Sequence, residues 1–167
     1  MITGSVASSY HGVPRSTHDT DIVVDITTAG IARLGIAFQP PRYYFDANSA
    51  TTALQQDRPF GLIEVESGAK IDFWPLKNQP FDQSCFGRRI RVEAPDFSAC
   101  LPSAEDSILS KLLWARQSGS SEKQLQDITG ICEIKAGYLD QAYLDSWIKK
   151  LDLLDLWAKV VARLGAP

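Results

Sequence analysis

No apolar run in this chain approaches the ~18 residues that a membrane-spanning helix needs. Cysteine is scarce. Cys85, Cys100 and Cys132 are too few and too far apart for a zinc site, and their odd number suits reduced thiols in a cytoplasm. The 11 Gly and 9 Pro follow no period, which excludes a collagen-like or low-complexity chain. Basic charge is not in excess: 17 Lys/Arg against 20 Asp/Glu leave a net −3, spread as −2 over residues 1–101 and −1 over 102–167. Neither half carries the positive surplus of a dedicated nucleic-acid binder. No internal repeat is present. No secretory leader is expected, because Met1 runs straight into Ile2-Thr3-Gly4-Ser5.

What is present is ordinary for a folded chain. Of 167 residues, 44% are hydrophobic, 22% charged and 10% aromatic, which excludes disorder. A chain of this size buries roughly two-thirds of its unfolded surface and needs no disulfide or metal staple. It suits one compact domain, or one small domain with an appendage.

The character of the sequence changes near residue 102. Before it, short apolar runs alternate with Gly, Pro, Asp and Asn. Residues 21–26 (DIVVDI) read as a strand. Residues 60–66 and 69–74 alternate in part around Ser67-Gly68 and read as a hairpin. Residues 88–93 and 97–101 read as further strands, and about 28–38 and 47–56 as helices. The expected class is α+β (or α/β), a mixed sheet flanked by helices over residues 1–101.

After residue 102, Ser103 is a good N-cap, with Glu105 and Asp106 in the first turn and Ile108, Leu109, Leu112 and Leu113 at helical spacing. Gly119 reads as the stop of that helix, and Ser121 with Gln124 as a capping box for the next. Leu139, Tyr143, Trp147 and Leu151 recur every four residues, and Leu153 to Leu164 form a last amphipathic segment. Residues 102–167 are therefore expected to form a C-terminal helical bundle.

The chemistry concentrates in the first 25 residues. Asp19 and Asp21 stand two apart at the start of a strand, so both carboxylates leave the same face. Adjacent carboxylates repel and are stabilised by a cation between them. Hard oxygen donors suit Mg²⁺, which one or two carboxylates and substrate phosphates usually hold. Gly4-Ser5 stands between a stubby strand and a helix expected over Ala7 to Tyr10, where a glycine permits close backbone approach and free N–H groups face an anion. Asp72 interrupts an otherwise apolar strand, a costly position unless it is paired or binds a cation. Three carboxylates beside a phosphate-binding turn make a two-metal phosphoryl-transfer site.

Gly4-Ser5, Asp19-x-Asp21 and the later Asp72 together resemble the signature of the DNA polymerase beta-like nucleotidyltransferase superfamily. Gly12-Val13-Pro14-Arg15-Ser16-Thr17 looks like the segment before the acidic pair in small bacterial members. Lys111-Leu112, followed by Glu122 to Asp127, is similar to their helical part. The resemblance implies that Asp19 and Asp21 hold two Mg²⁺ ions on the triphosphate of an NTP. Asp72 would join the acceptor-side metal and help deprotonate a hydroxyl, and Gly4 and Ser5 would grip the terminal phosphates. The products would be a nucleoside monophosphate ester and pyrophosphate. The acceptor stays open among small molecules such as aminoglycosides, tRNA ends and proteins. Similar proteins carry a helix and a full strand before Gly-Ser, so either a truncated start, or another element or a partner chain covering that flank as in a homodimer, is expected.

Each side residue carries an alternative. Arg15 contacts phosphate or is a solvated loop residue beside an ordinary turn Thr17. Lys111 reaches the triphosphate or snorkels, and Asp127 orients a basic partner or faces solvent. His11 and His18 are acid–base candidates or bystanders, His18 pointing to the strand face opposite Asp19. Trp74, Trp114, Trp147 and Trp157 read as core, with Trp74 a remote candidate for base stacking. Tyr43 and Tyr44 read as packing. Arg88, Arg89 and Arg91 are a solvated strand edge or a phosphate-contacting patch. Two rival functions stand beside nucleotidyl transfer. One is a catalytically weak nucleotide-binding regulatory or antitoxin-like module of the same fold; the other is a metal-dependent nuclease.

Overall fold

The structure is a computed structural model that describes residues 1–93, 95–118 and 122–165. The expected Gly119 stop and the Ser121 end of the capping box lie outside the described residues. The fold is α+β, with a mixed sheet, a two-stranded ribbon and a C-terminal group of helices.

The sheet comprises β1 (Asp19–Val24), β2 (Tyr43–Tyr44), β3 (Phe60–Glu64) and β4 (Lys70–Pro75), in the order β1-β4-β3-β2. β1 and β4 are parallel, and the other neighbours are antiparallel. Alternation gives the sheet two different faces. Ile22, Val24, Ile71 and Phe73 point to one, where they meet Phe60 and Leu62 and the helices α2 (Thr28–Ala37) and α3 (Ala47–Gln55). Ile31 and Ala50 seal that layer. Both helices start where the sequence supplies an acceptor: Thr27 takes the N–H of Gly30, and Asp46 takes those of Asn48 and Ser49. Asp21, Val23 and Trp74 point to the other face, toward a cavity.

α1 (Gly4–His11) packs on β1 and on two helices of the C-terminal group, α5 (Ala104–Gln117) and α6 (Glu122–Ile134). α5 is the axis of that group. Its Ile108, Leu109 and Leu112 are fully buried against Ile128 and Ile131 of α6, Leu144 and Ile148 of α7 (Gln141–Lys150) and Val160 of α8 (Leu154–Leu164). The Ser103 cap is formed, accepting from the Asp106 amide at 3.1 Å.

The structure corrects the sequence reading at three places. α4 (Pro80–Gly87) is a helix that the pattern concealed: it is short, opens on proline, and holds Ser, Cys and Phe. Its Phe81 and Cys85 join the apolar cluster of α5 to α8. α1 begins at Gly4, three residues before the expected start, so Gly4 and Ser5 are its first turn. Arg88 is not a strand residue but the C-cap of α4. Its guanidinium lies 3.8 Å from the Tyr143 ring centre and 3.4 Å from the buried Asp106 carboxylate, while the strand β5 (Ile90–Glu93) begins two residues later and pairs with β6 (Ser98–Leu101). Arg91 pairs with Glu93. Residues before Gly4 do not extend a full strand: Ile2 makes one bridge to Ile22 while its amide donates to the Cys100 carbonyl at 2.8 Å, tying β1 to β6.

The end of α1 is packed against backbone. A Cβ on Gly12 would stand 2.8 Å from the Ile131 amide nitrogen and 2.9 Å from the Gly130 carbonyl carbon, atoms that cannot rotate away. His11 beside it is buried, donates from Nε2 to the Pro102 carbonyl at 2.8 Å, and leaves Nδ1 with no partner among the described residues. Burial holds its imidazole below the ordinary value, against the pull of that hydrogen bond.

Two outcomes follow. Gly12→Ala lowers unfolding stability by about 1–3 kcal/mol, read as a lower urea midpoint at unchanged slope. Because the unfolded chain protonates His11 more readily than the native one, native stability falls as pH drops below about 6.5 and continues to fall until the lowered folded value is passed. Urea titrations from about pH 8 to about pH 5 measure this loss, and His11→Asn reduces it.

Candidate active site

The site begins with a glycine. Gly4 has φ +63°, a left-handed conformation that favours glycine, and a Cβ there would lie 2.1 Å from Asp21 Oδ2. The start of α1 is thereby pressed against a carboxylate of β1, and the Thr3 amide donates to the Asp21 carbonyl at 2.8 Å to hold it there.

Strand register supplies the second carboxylate. In the parallel β1–β4 pair, Asp21 stands opposite Asp72 and Asp19 opposite Lys70. The Lys70 ammonium donates to Asp72 Oδ2 at 2.8 Å. That bond raises the Lys70 ammonium above its ordinary value against partial burial, and the charges of Asp72, Asp19 and Asp21 add to it. Lys70 is thus the counter-charge of all three carboxylates. Asp21 Oδ1 accepts from the Trp74 indole Nε1 at 3.0 Å. Asp19 is exposed at the start of the strand, and Thr17 Oγ1 donates to its carbonyl at 3.0 Å. His18 is exposed as well.

The remaining candidates converge elsewhere, on Asp127. Arg15 donates to it through a two-point fork, Nε to Oδ1 at 2.9 Å and Nη2 to Oδ2 at 3.0 Å, and the same Nη2 reaches Ser5 Oγ. Lys111 Nζ donates to Asp127 Oδ2 at 2.6 Å and to Gln124 Oε1 at 3.2 Å, and Ser8 Oγ to the same carboxylate at 3.3 Å. The Asp127 and Lys111 side chains are 8% and 6% exposed. Burial alone would raise the Asp127 carboxyl, but the hydrogen bonds from Arg15 and Lys111 outweigh it and hold the group below its ordinary value. Burial also lowers the Lys111 ammonium, which Asp127 only partly offsets.

A cavity of about 910 Å³ opens between the two groups. Gly4, Ser5, Asp21 and Lys111 line one part of it, and Trp74 and Trp114 another. Its volume is that of a pocket for a small organic ligand. Asp19 and Asp72 flank Asp21 on the strands rather than lining the cavity itself.

The residues expected from the sequence thus fall into two groups, one on the paired strands and one around Asp127. Gly4 meets Asp21, and Asp21 meets Asp72 across the register. Ser8, Arg15 and Lys111 share one partner, the Asp127 carboxylate, which is buried among them, and Ser5 joins this group only through Arg15. Thr17 contacts only backbone, and His11 is a buried packing residue. Trp114 is 46% exposed and belongs to the cavity, not to the core. Its signal was available: on α5 it falls three residues after Lys111, on the same side of the helix.

Among the described residues, no group of three or more His, Cys, Asp and Glu is gathered closely enough to hold a metal ion. Asp21 and Asp72 are the pair that could hold one with a ligand's help. Asp21 and Asp72 offer hard oxygens from adjacent strands, and Lys70 already sits there as a positive charge that a divalent cation would replace. A site completed by ligand phosphates suits Mg²⁺ better than a closed protein cage. No family model matches the chain, and no curated protein matches it.

Asp127→Ala leaves the buried Lys111 ammonium and the Arg15 fork without their acceptor. Unfolding stability falls by about 3 kcal/mol, measured by chemical denaturation, whereas an exposed control such as Asp155→Ala stays within about 0.5 kcal/mol. An unchanged midpoint in Asp127→Ala would contradict the buried hub.

Proposed function

We propose that this chain binds a nucleoside triphosphate with Mg²⁺ and transfers its nucleoside monophosphate to a hydroxyl acceptor, releasing pyrophosphate. The observation that carries this reading is the in-register Asp21–Asp72 pair, with the Gly4 helix start pressed on Asp21 at the wall of a cavity that also holds Trp74 and Trp114. The resemblance of Gly4-Ser5, Asp19-x-Asp21 and Asp72 to DNA polymerase beta-like nucleotidyltransferases supports it.

The chain's own groups then divide the work. Amides of the first turn of α1, at Gly4 and Ser5, receive terminal phosphate oxygens, favoured by the positive end of the helix. Asp21 and Asp72 would hold Mg²⁺, with Asp19 the further candidate at the exposed start of the strand, and the ion would supply neutralisation of charge on the phosphates. Asp72, released from Lys70, accepts the acceptor's proton at a carboxylate oxygen. The hydroxyl oxygen bonds to the α-phosphorus as the bond to the bridging oxygen breaks and pyrophosphate leaves. Arg15 and Lys111 act through Asp127: they lock the start of α1 onto α5 and α6, so Ser5 is held without reorganisation. The three cysteines, all free, fit a reducing, cytoplasmic setting. Among the described residues, no helix is long and apolar enough to cross a membrane.

A second reading, a nucleotide-binding module of the same fold with little turnover, is favoured by one observation. The Lys70–Asp72 bond at 2.8 Å occupies the carboxylate that the transfer needs. Incubation with Mg²⁺, a panel of labelled triphosphates and candidate small-molecule, RNA and protein acceptors separates the two. Transfer predicts pyrophosphate release that falls at least about a hundredfold in Asp21→Asn and in Asp72→Asn. Release that survives Asp19→Ala and Asp21→Ala overturns the site. Triphosphate binding with no release on any acceptor selects the module.

A further inference from the structure

One side chain joins the aromatic and acidic parts of the cavity. The Trp74 indole N–H holds Asp21 Oδ1 at 3.0 Å, and Asp21 Oδ2 rests against Gly4. The carboxylate is held between the indole N–H and the start of α1. The same ring meets Trp114 edge-to-face, with centroids 5.3 Å apart and planes at 81°. Both rings line the cavity, and Trp114 is 46% exposed overall. Two large rings at right angles form a corner whose open faces suit a planar aromatic ligand, and base–aromatic stacking tolerates any base.

We propose that Trp74 is a positioning residue that couples a nucleobase seated on the Trp74–Trp114 corner to cation binding at Asp21. The proposal rests on the nucleotide reading above. A base stacked on the corner removes the freedom of the Trp74 ring. The hydrogen bond then holds Asp21 in one orientation before the cation arrives, so the cation loses less in ordering its ligand. Hydrogen-bond partners of metal-binding carboxylates set metal affinity in this way. The coupling is reciprocal, so the cation tightens base binding by the same factor. A nucleoside isolates the effect. It has no phosphate to bridge to the metal, so any coupling between the two runs through the protein.

The test is calorimetric titration of the full chain with adenosine, guanosine, cytidine and uridine, each with and without saturating Mg²⁺. At least one nucleoside binds several-fold tighter with Mg²⁺, and Mg²⁺ binds tighter by the same factor with that nucleoside present. Trp74→Phe keeps the ring and removes the donor. Nucleoside affinity without Mg²⁺ stays within about twofold, Mg²⁺ affinity drops about tenfold, and the coupling disappears. Trp114→Ala weakens the nucleoside and leaves Mg²⁺ alone unchanged. The proposal is overturned if no nucleoside binds, if wild-type affinities are independent of Mg²⁺, or if Trp74→Phe retains the coupling. The wild-type comparison decides even where the Phe variant does not fold. Coupling without pyrophosphate release on any acceptor would sink the transfer reading and leave this one standing; release without coupling does the reverse.

Discussion

The buried carboxylate of Asp127 is the interaction on which the site depends. It sits on α6, takes Lys111 from α5 and Arg15 from the segment before β1, and through Arg15 reaches Ser5 in the first turn of α1. Four separate parts of the chain are thus tied to one charge. The tie has a clear cost, since a carboxylate and an ammonium leave water together, and it holds because the hydrogen bonds are short and the Arg15 fork is two-pointed. Removing one partner strands the others, which is why these helices pack as one unit with the sheet rather than as a loose appendage.

From that anchor the rest of the geometry follows. α1 cannot slide, because Gly12 abuts the backbone of α6 at its end and Gly4 abuts Asp21 at its start. β1 is held beneath it, and parallel pairing with β4 sets Asp21 against Asp72. The sheet buries Ile22, Val24, Ile71 and Phe73 on the far face, so the alternate residues Asp21, Asp72 and Trp74 must leave by the near one. A slip of one residue in register would send the carboxylates into the apolar layer. Lys70 offsets the charge that this arrangement concentrates.

Much of this was legible in the sequence, for identifiable reasons. β1 is a short β-branched run, β3 and β4 alternate in part around Ser67-Gly68, and α5 carries a recognisable cap at Ser103. α4 was hidden because its helical character comes from burial of Phe81 and Cys85 against α5 to α8 rather than from propensity. Among the site residues, Asp19, Asp21, Asp72, Gly4 and Ser5 lie close enough in sequence or pattern to be grouped by eye. The sequence leaves Asp127 open between orienting a basic partner and facing solvent, because its partners are 112 and 16 residues away and periodicity says nothing about contacts over that distance. Trp114 was assigned to the core because large aromatic rings usually bury, and only the cavity around it explains its exposure. Lys70 and Trp74 acquire their roles from strand pairing, which two-residue alternation suggests but does not prove.

The central claim is that Asp21 and Asp72 hold a cation beside a triphosphate bound at the start of α1. A crystal structure with Mn²⁺ and a non-hydrolysable triphosphate tests it most directly, because the anomalous signal locates the metal without assumption. The account predicts Mn²⁺ between the two carboxylates, Lys70 displaced from Asp72, terminal phosphates on the amides of Gly4 and Ser5, and the base on Trp74 and Trp114. Bound triphosphate with its Mn²⁺ away from both carboxylates, or no density in the cavity at saturating ligand, would contradict it.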